Sequence, residues 1–228
     1  LYSFDKMLLG SYKNNTPNHY ELGYHMTSYA RHKYGAELWQ NIENHVARKP
    51  FQVASFNIGL NRITGDYSAD LYDSAMTFYN RFYSMESEER DRRAISEINT
   101  EVHSSYVSYR HPRYTEKGNI LALKKGYSRL PRFIKISEGK EEILHMPGRM
   151  SFIRFSYAKD RIVWSEQEPD VRWNHRSFSV IKTYNIKTGI EKKLTEKTRF
   201  FAPDISEDGK QIAVVKISQK NQYHLVVI

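Results

Sequence analysis

APDISEDGKQIAVV, residues 202–215, is the stretch on which the fold turns. It reads as a short approach strand holding Pro203, a polar turn of Ser206, Asp208, Gly209 and Lys210, and a β-rich run. Asp-Gly closes a hairpin turn because glycine reaches positive φ without a Cβ clash. A lone Asp208 in such a turn is structural rather than a calcium ligand. Two earlier stretches share the pattern: HPRYTEKGNILAL, residues 111–123, and FIRFSYAKDRIVW, residues 152–164. Lys117-Gly118 keeps the glycine, whereas Lys159-Asp160 lacks it. Counted from Pro112, Ile153 and Pro203, the copies lie 41 and 50 residues apart. That spacing suits four-stranded propeller blades of roughly 40–50 residues.

The segment after each copy repeats as well. Branched and aromatic runs come next, at Leu130–Ile136, Phe178–Ile186 and Tyr223–Ile228. Two of them enter glycine turns, at Glu138-Gly139-Lys140 and Lys187-Thr188-Gly189, and then short strands at Glu142–His145 and Glu191–Leu194. These are hairpin signals. Residues 94–228 are therefore expected to form about three blades of an incomplete β-propeller. A blade cannot bury its faces alone. The last copy stops in mid-blade at Val226-Val227-Ile228, so the chain is expected to belong to a longer protein or to dimerise edge to edge through the open propeller.

Residues 1–93 read differently. From Tyr20, the apolar residues Leu22, Met26, Tyr29 and Ala30 recur at three- and four-residue steps, between start signals at Pro17 and Asn18 and a stop at Gly35. A second helix carries Leu38, Ile42 and Val46 and ends before Pro50. A short helix over Asn57–Ile63 is closed by Gly65. Ser68 is expected to cap a longer one with two stripes: Leu71, Ala75, Phe78 and Phe82, and Tyr72, Met76, Tyr79 and Tyr83. Two adjacent stripes predict burial over a wide face. The charged tail Glu86–Arg93 reads as a linker. The predicted class is thus α+β, helices first and blades second.

Composition narrows the function. The chain of 228 residues has no cysteine, which excludes disulfides, thiolate metal sites and cysteine nucleophiles. No apolar run approaches the ~18 residues of a membrane span. The net charge is +9, and all the excess lies after residue 95: residues 1–95 hold 11 basic and 11 acidic side chains, residues 96–228 hold 24 and 15. The basic residues are scattered, without the dense patch of a nucleic-acid binder, so no nucleic-acid partner is expected. No phosphate loop, nucleophile elbow or carboxylate dyad stands out.

Pro203 followed by Ser206-x-Asp208-Gly209-Lys210 resembles the short repeat of TolB-like propellers. The stretch TPNHYELGYHMTSYARHKYGAELWQNIENHVARKPF, residues 16–51, resembles the helical segment after the zinc site of bacterial gluzincin-like (peptidase MA-like) proteins. There Tyr20, Leu22, Gly23 and Tyr24 match a Tyr-x-Leu-Gly-Tyr element, and Tyr34, Gly35 and Trp39 a Tyr-Gly…Trp element. EPDVRWNHRSF, residues 168–178, resembles an inter-strand loop of such propellers. The departure is the zinc motif. His-Glu-x-x-His puts two imidazoles on one helix face, but no two of the nine histidines here are four residues apart. No catalytic or metal residue is therefore assigned, and the chain carries no cofactor of its own. The resemblance implies zinc in a full-length parent, upstream of this part, and a periplasmic or cell-envelope location.

Two sets of residues are candidate sites. Tyr20 and Tyr24 are placed by the resemblance on the oxyanion side of an upstream zinc site, although paired helical tyrosines more often pack. Asp170, Arg172, Trp173 and His175 crowd one inter-strand loop and form the candidate partner-binding surface, where loops commonly carry function. The expected function is a non-catalytic portion of an exported zinc-peptidase-like/propeller protein whose propeller binds a protein or peptide. One alternative is a pure interaction scaffold whose parent was never a peptidase. Another is a hydrolase with its nucleophile beyond Ile228.

Overall fold

The computed structural model describes residues 2–88, 96–98 and 103–228, and it divides into two compact units, 1–95 and 96–228. The expected boundary at residue 93 and most of the charged tail lie outside the described residues.

Among the described residues the first unit has five helices: α1 (Phe4–Leu9), α2 (His19–Tyr34), α3 (Leu38–Arg48), α4 (Ser55–Thr64) and α5 (Ser68–Glu88). Asn18 and Glu21 start α2 with a reciprocal capping box. Gly35 ends it at a φ of 96°. The core gathers Tyr29, Ala30, Leu38, Ile42, Leu60, Leu71 and Ala75. Glycine at 59 lets α3 and α4 approach closely, because a Cβ there would lie 2.9 Å from the His45 ring. Ser68 does not cap α5; it is the first helical residue, and its N–H and hydroxyl both donate to Asn57 Oδ1. The stripe on α5 is buried at Leu71 and Ala75 but exposed at Phe78 and Phe82, where the two rings stack on each other.

Among the described residues the second unit forms three antiparallel sheets in sequence order. Blade 1 is β1 (Val107–Tyr114), β2 (Ile120–Gly126), β3 (Arg132–Ser137) and β4 (Lys140–His145). Blade 2 is β5 (Met150–Ala158), β6 (Arg161–Pro169), β7 (Ser177–Asn185) and β8 (Ile190–Lys193). Blade 3 is β9 (Phe200–Ile205), β10 (Ile212–Ile217) and β11 (Tyr223–Val227). Helices followed by an incomplete propeller is the α+β arrangement expected from the repeats.

Local chemistry explains the repeat. His111 and Ala202 each have positive φ, immediately before Pro112 and Pro203, at the point where β1 and β9 slip register against their neighbours. Proline has no N–H to lose at such a bulge. The hairpin between Ser137 and Lys140 has Glu138 and Gly139 both at positive φ, the requirement of a two-residue type I′ turn. Lys159 and Asp160 make the same turn with no glycine, at φ of 47° and 57°.

Alternation along the second strand of each blade sends side chains to opposite junctions. Leu121, Leu123 and Phe133 of blade 1 pack on Phe155, Ile162, Trp164 and Tyr184 of blade 2. Val163 and Ile181 of blade 2 pack on Ile205, Ile212 and Val214 of blade 3. The link from β8 to β9 is stitched onto β7. Leu194 N–H donates to the Ile181 carbonyl and Ser179 N–H to the Thr198 carbonyl. Ile181 N–H donates to Thr195 Oγ1, and the Thr198 hydroxyl to the Ser179 carbonyl.

Candidate functional site

In sheets wound in this order, the β2–β3, β6–β7 and β10–β11 loops and the links between blades all emerge at one end. The β6–β7 loop, residues 170–176, is the most built of them. Asp170 Oδ1 accepts the N–H groups of Arg172 at 2.8 Å and Trp173 at 3.2 Å, and Oδ2 faces the Arg176 guanidinium at 3.6 Å. The Arg172 N–H, then the Trp173 N–H and the Arg176 and Lys197 charges, hold the Asp170 carboxyl below its usual range. Backbone bonds from Asp170 N–H to Arg176 and from Arg176 N–H to Trp173 close the loop. Arg172 lies over the Trp173 ring at 5.2 Å, and the indole remains 57% exposed. The loop thus brings Asp170, Arg172 and Trp173 into one arrangement. His175 instead lines the cleft beside them.

That cleft opens between blades 2 and 3. Its inner part, about 320 Å³, is lined by Ser151, Gln167, Ser177, Phe178, Arg199 and Phe201, among others. Its mouth, about 500 Å³, adds His175, Arg176, Lys197 and Gln219. Serine hydroxyls order the floor. Ser179 donates to the Phe200 carbonyl at 2.7 Å, so across the 2.8 Å contact between Ser151 and Ser179 the donor is Ser151. Gln167 Nε2 donates to Ser177 Oγ at 2.8 Å. Arg199 donates from one terminal nitrogen to the Ser218 carbonyl at 3.0 Å, and its other lies 3.5 Å from Asn221 Oδ1. Reading the sequence missed these residues. Arg199 has a local signal, a cation just before the inner strand of a blade, but Ser151 and Ser177 join it only through packing.

The repeat-turn residues take structural places. Pro203 is buried in β9. Ser206 Oγ donates to Asp208 Oδ1 at 2.6 Å, and Lys210 N–H donates to the same oxygen at 3.0 Å. The Ser206 hydroxyl, then the Lys210 N–H, holds the exposed Asp208 carboxyl below its usual range. Gly209 needs its positive φ of 74°, and a Cβ there would lie 3.2 Å from Lys159 Cβ of blade 2. Tyr20 and Tyr24 lie on the exposed face of α2, 78% and 67% accessible, each against a neighbouring histidine ring. Among the described residues no three His, Asp or Glu side chains are grouped to hold a metal ion, and no helix is long and apolar enough to cross a membrane.

A chain of charged side chains lies at the other junction, buried at Glu166 and open to solvent at Glu191. Glu166 accepts from Trp164 Nε1 at 2.9 Å, Gly148 N–H at 3.0 Å and Lys182 Nζ at 2.7 Å. Lys182 also pairs with Glu191 at 3.1 Å. His145 Nε2 lies 2.7 Å from the second Glu191 oxygen, and its ring stacks on Tyr184. Burial alone would raise the Glu166 carboxyl, but Lys182, Trp164 and Gly148 outweigh it and hold it below its usual range. Burial likewise opposes the Lys182 charge, and its two carboxylates raise it nonetheless.

No protein-family model matches the chain, and no curated protein is significantly similar to it. Among solved structures, it is similar to a protein assigned as TolB from Agrobacterium tumefaciens, with 15% identity over 50% of this chain and a TM-score of 0.37. It is similar to the tricorn protease at 10% identity over 52% of this chain, with a TM-score of 0.38. It is also similar to a puromycin hydrolase mutant at 12% identity over 54%, with a TM-score of 0.40. The chain spans 40%, 12% and 19% of those chains respectively.

Proposed function

We propose that this chain is the partner-binding, non-catalytic portion of an exported bacterial protein of the zinc-peptidase-like/propeller kind. In this reading residues 94–228 bind a protein or peptide, and residues 1–93 are the helical end of a peptidase-like region whose zinc site lies elsewhere in the parent. The location is the periplasm or cell envelope. The observation that carries it is the β6–β7 loop: an exposed indole, flanked by a guanidinium, on a turn fixed by Asp170. Trp and Arg held rigid at a surface are the residue types that dominate protein interfaces, because little ordering entropy remains to be lost on binding.

Capture of a partner from envelope extract by the wild-type chain and by Trp173→Ala tests the binding half. The variant is expected to lose the captured species; the same yield from both would remove the loop from the site. Zinc content of the full-length parent tests the other half. One zinc per chain supports the peptidase-like reading, and a metal-free parent leaves an interaction scaffold. Edge-to-edge pairing belongs to the same proposal, since β11 is an edge strand with Tyr223, Leu225 and Val227 exposed. Sedimentation velocity that shows only monomer at high concentration would remove it.

A further inference from the structure

We propose that the cleft between blades 2 and 3 binds a peptide carboxylate carried beside an apolar side chain, with Arg199 as its anchoring cation. This rests on the reading of the propeller as the binding part, and it names the group that is bound.

The donor inventory points to an acceptor-only ligand. The hydroxyl hydrogens of Ser179 and Ser151 are engaged within the floor. Ser177 accepts from Gln167, and among the described residues its own hydrogen is engaged in no hydrogen bond. Arg199 has five N–H groups and among the described residues meets only neutral oxygens, of Ser218 and Asn221. Lys197, at the mouth, forms no ion pair among the described residues and sits on a left-handed backbone at a φ of 50°. Among the described residues Arg176 is the one lining cation within ion-pair distance of a carboxylate, that of Asp170. No Asp or Glu among the described residues lines either part of the cleft. The site therefore holds surplus donors and surplus positive charge, for which a carboxylate is the complementary group.

The walls select what surrounds that group. Phe178 lies under the Arg176 guanidinium at 5.0 Å, and Phe201 meets Phe152 edge to face at 5.8 Å. Both rings line the inner cleft, so an apolar side chain next to the carboxylate has a place. A nucleic-acid backbone fits less well. Its repeated phosphates need a track of cations, whereas these converge on one cleft, and Asp170 stands at its edge.

The test uses a fluorescein-labelled peptide, Gly-Gly-Phe-Glu with a free C terminus, and anisotropy with the whole chain. Three control peptides separate the sources of the carboxylate: one is C-terminally amidated, one has Gln in place of Glu, and one carries both changes. Arg199→Ala is expected to weaken binding by about tenfold or more, the range for losing a charge-assisted hydrogen bond. Arg199→Lys should fall between, because it keeps the charge and loses the fork. Ser177→Ala should weaken binding by a smaller factor and keep the Arg199 contacts to blade 3. Far-UV circular dichroism checks that each variant is folded. Equal binding by wild type and both Arg199 variants overturns the proposal. So does equal binding of a peptide that is both amidated and Gln-substituted, no binding of the acidic peptide, or a single-stranded oligonucleotide that outcompetes it. If Trp173→Ala loses the extract partner while Arg199→Ala keeps it, the loop reading stands and the carboxylate site falls.

Discussion

The two blade junctions solve one packing problem with different chemistry. Between blades 1 and 2, large rings meet: Phe133 lies 5.2 Å from both Phe155 and Trp164, edge to face in each case. A chain of Glu166, Lys182, Glu191 and His145 runs beside them, buried at Glu166 and open to solvent at Glu191. Between blades 2 and 3 the core is aliphatic, and polar groups clamp backbone instead. Ser156 Oγ donates to Asp204 Oδ1 at 2.6 Å and accepts Ile205 N–H at 3.1 Å, while Arg161 reaches the Gly209 carbonyl at 3.1 Å. The aromatic junction gains area and directional ring contacts, at the cost of charges that must stay paired. The aliphatic junction needs no buried ion pair, and its outer end opens as the cleft.

Adjacent residues on β6 give the sharpest way to break this comparison. Trp164→Ala empties the first junction and removes a donor from Glu166, and should cost about 3–5 kcal/mol in urea unfolding. Val163→Ala, facing the second junction, should cost about 2 kcal/mol. Equal losses would mean that the junctions do not differ in the way described.

Lys182→Met comes next, at about 3 kcal/mol, because it leaves Glu166 buried without its cation. Its pH dependence carries a sign. The Glu166 carboxyl is lowered in the fold, so its contribution is present above the unfolded value of ~4.3 and is lost as pH falls through the lower folded value. Lys182 is raised, so its contribution is full below ~10.4 and is lost only as pH rises through the higher folded value. The contribution of the Glu166–Lys182 pair should be flat over roughly pH 5 to 10 and fall in acid. In the variant, burial raises the Glu166 carboxyl and its protonation relieves the penalty, so the loss should be largest near neutral pH and shrink as pH falls; a loss that does not change with pH would show that the pair does not govern it.

Ser156→Ala tests the second junction. It leaves the Ile205 N–H without its acceptor, for a loss of about 1.5 kcal/mol in thermal unfolding. A loss below the error of the measurement would mean that the aliphatic contacts alone carry this junction. The smallest effect is a gain. Replacing Lys159 by Asn and Asp160 by Gly fits a type I′ turn better and relieves two left-handed side chains. The gain should be about 0.5 kcal/mol, offset in part by losing the Asp160–Lys187 ion pair. A net loss would show that this pair, and not the turn, sets the hairpin.

The blades were legible because their turns are local. Gly139, Gly189 and Gly209 each mark a turn that needs positive φ, and branched strands follow at steady spacing. Lys159-Asp160 looked degenerate because the same turn is held there from outside: Ile186 N–H donates to the Asp160 carbonyl and Lys187 pairs with its carboxylate. Ser68 misled for a related reason, since a distant Asn57 takes the bonds expected of a cap. Helix α1, only six residues long, carried too little periodicity to be seen. Of the site, the crowding of Asp170, Arg172 and Trp173 was visible because it lies within four residues. The cleft was not, because Ser151, Ser177 and Arg199 become neighbours only after two blades have packed.

The link from β8 to β9 has a further consequence. A slack tether would let blade 3 separate as soon as its aliphatic contacts opened. Here the link is zipped to β7 by backbone and threonine bonds, from Leu194 to Thr198. This leaves blade 3 no slack, and its first residue is held by the Ser179 hydroxyl through the Phe200 carbonyl, so separation must break that bond together with the core and blades 2 and 3 should open as one cooperative unit in native-state hydrogen exchange. The amides of Ser179 and Ile181 would then exchange in step with those of β10, and the floor of the cleft would be among the last parts of the domain to loosen.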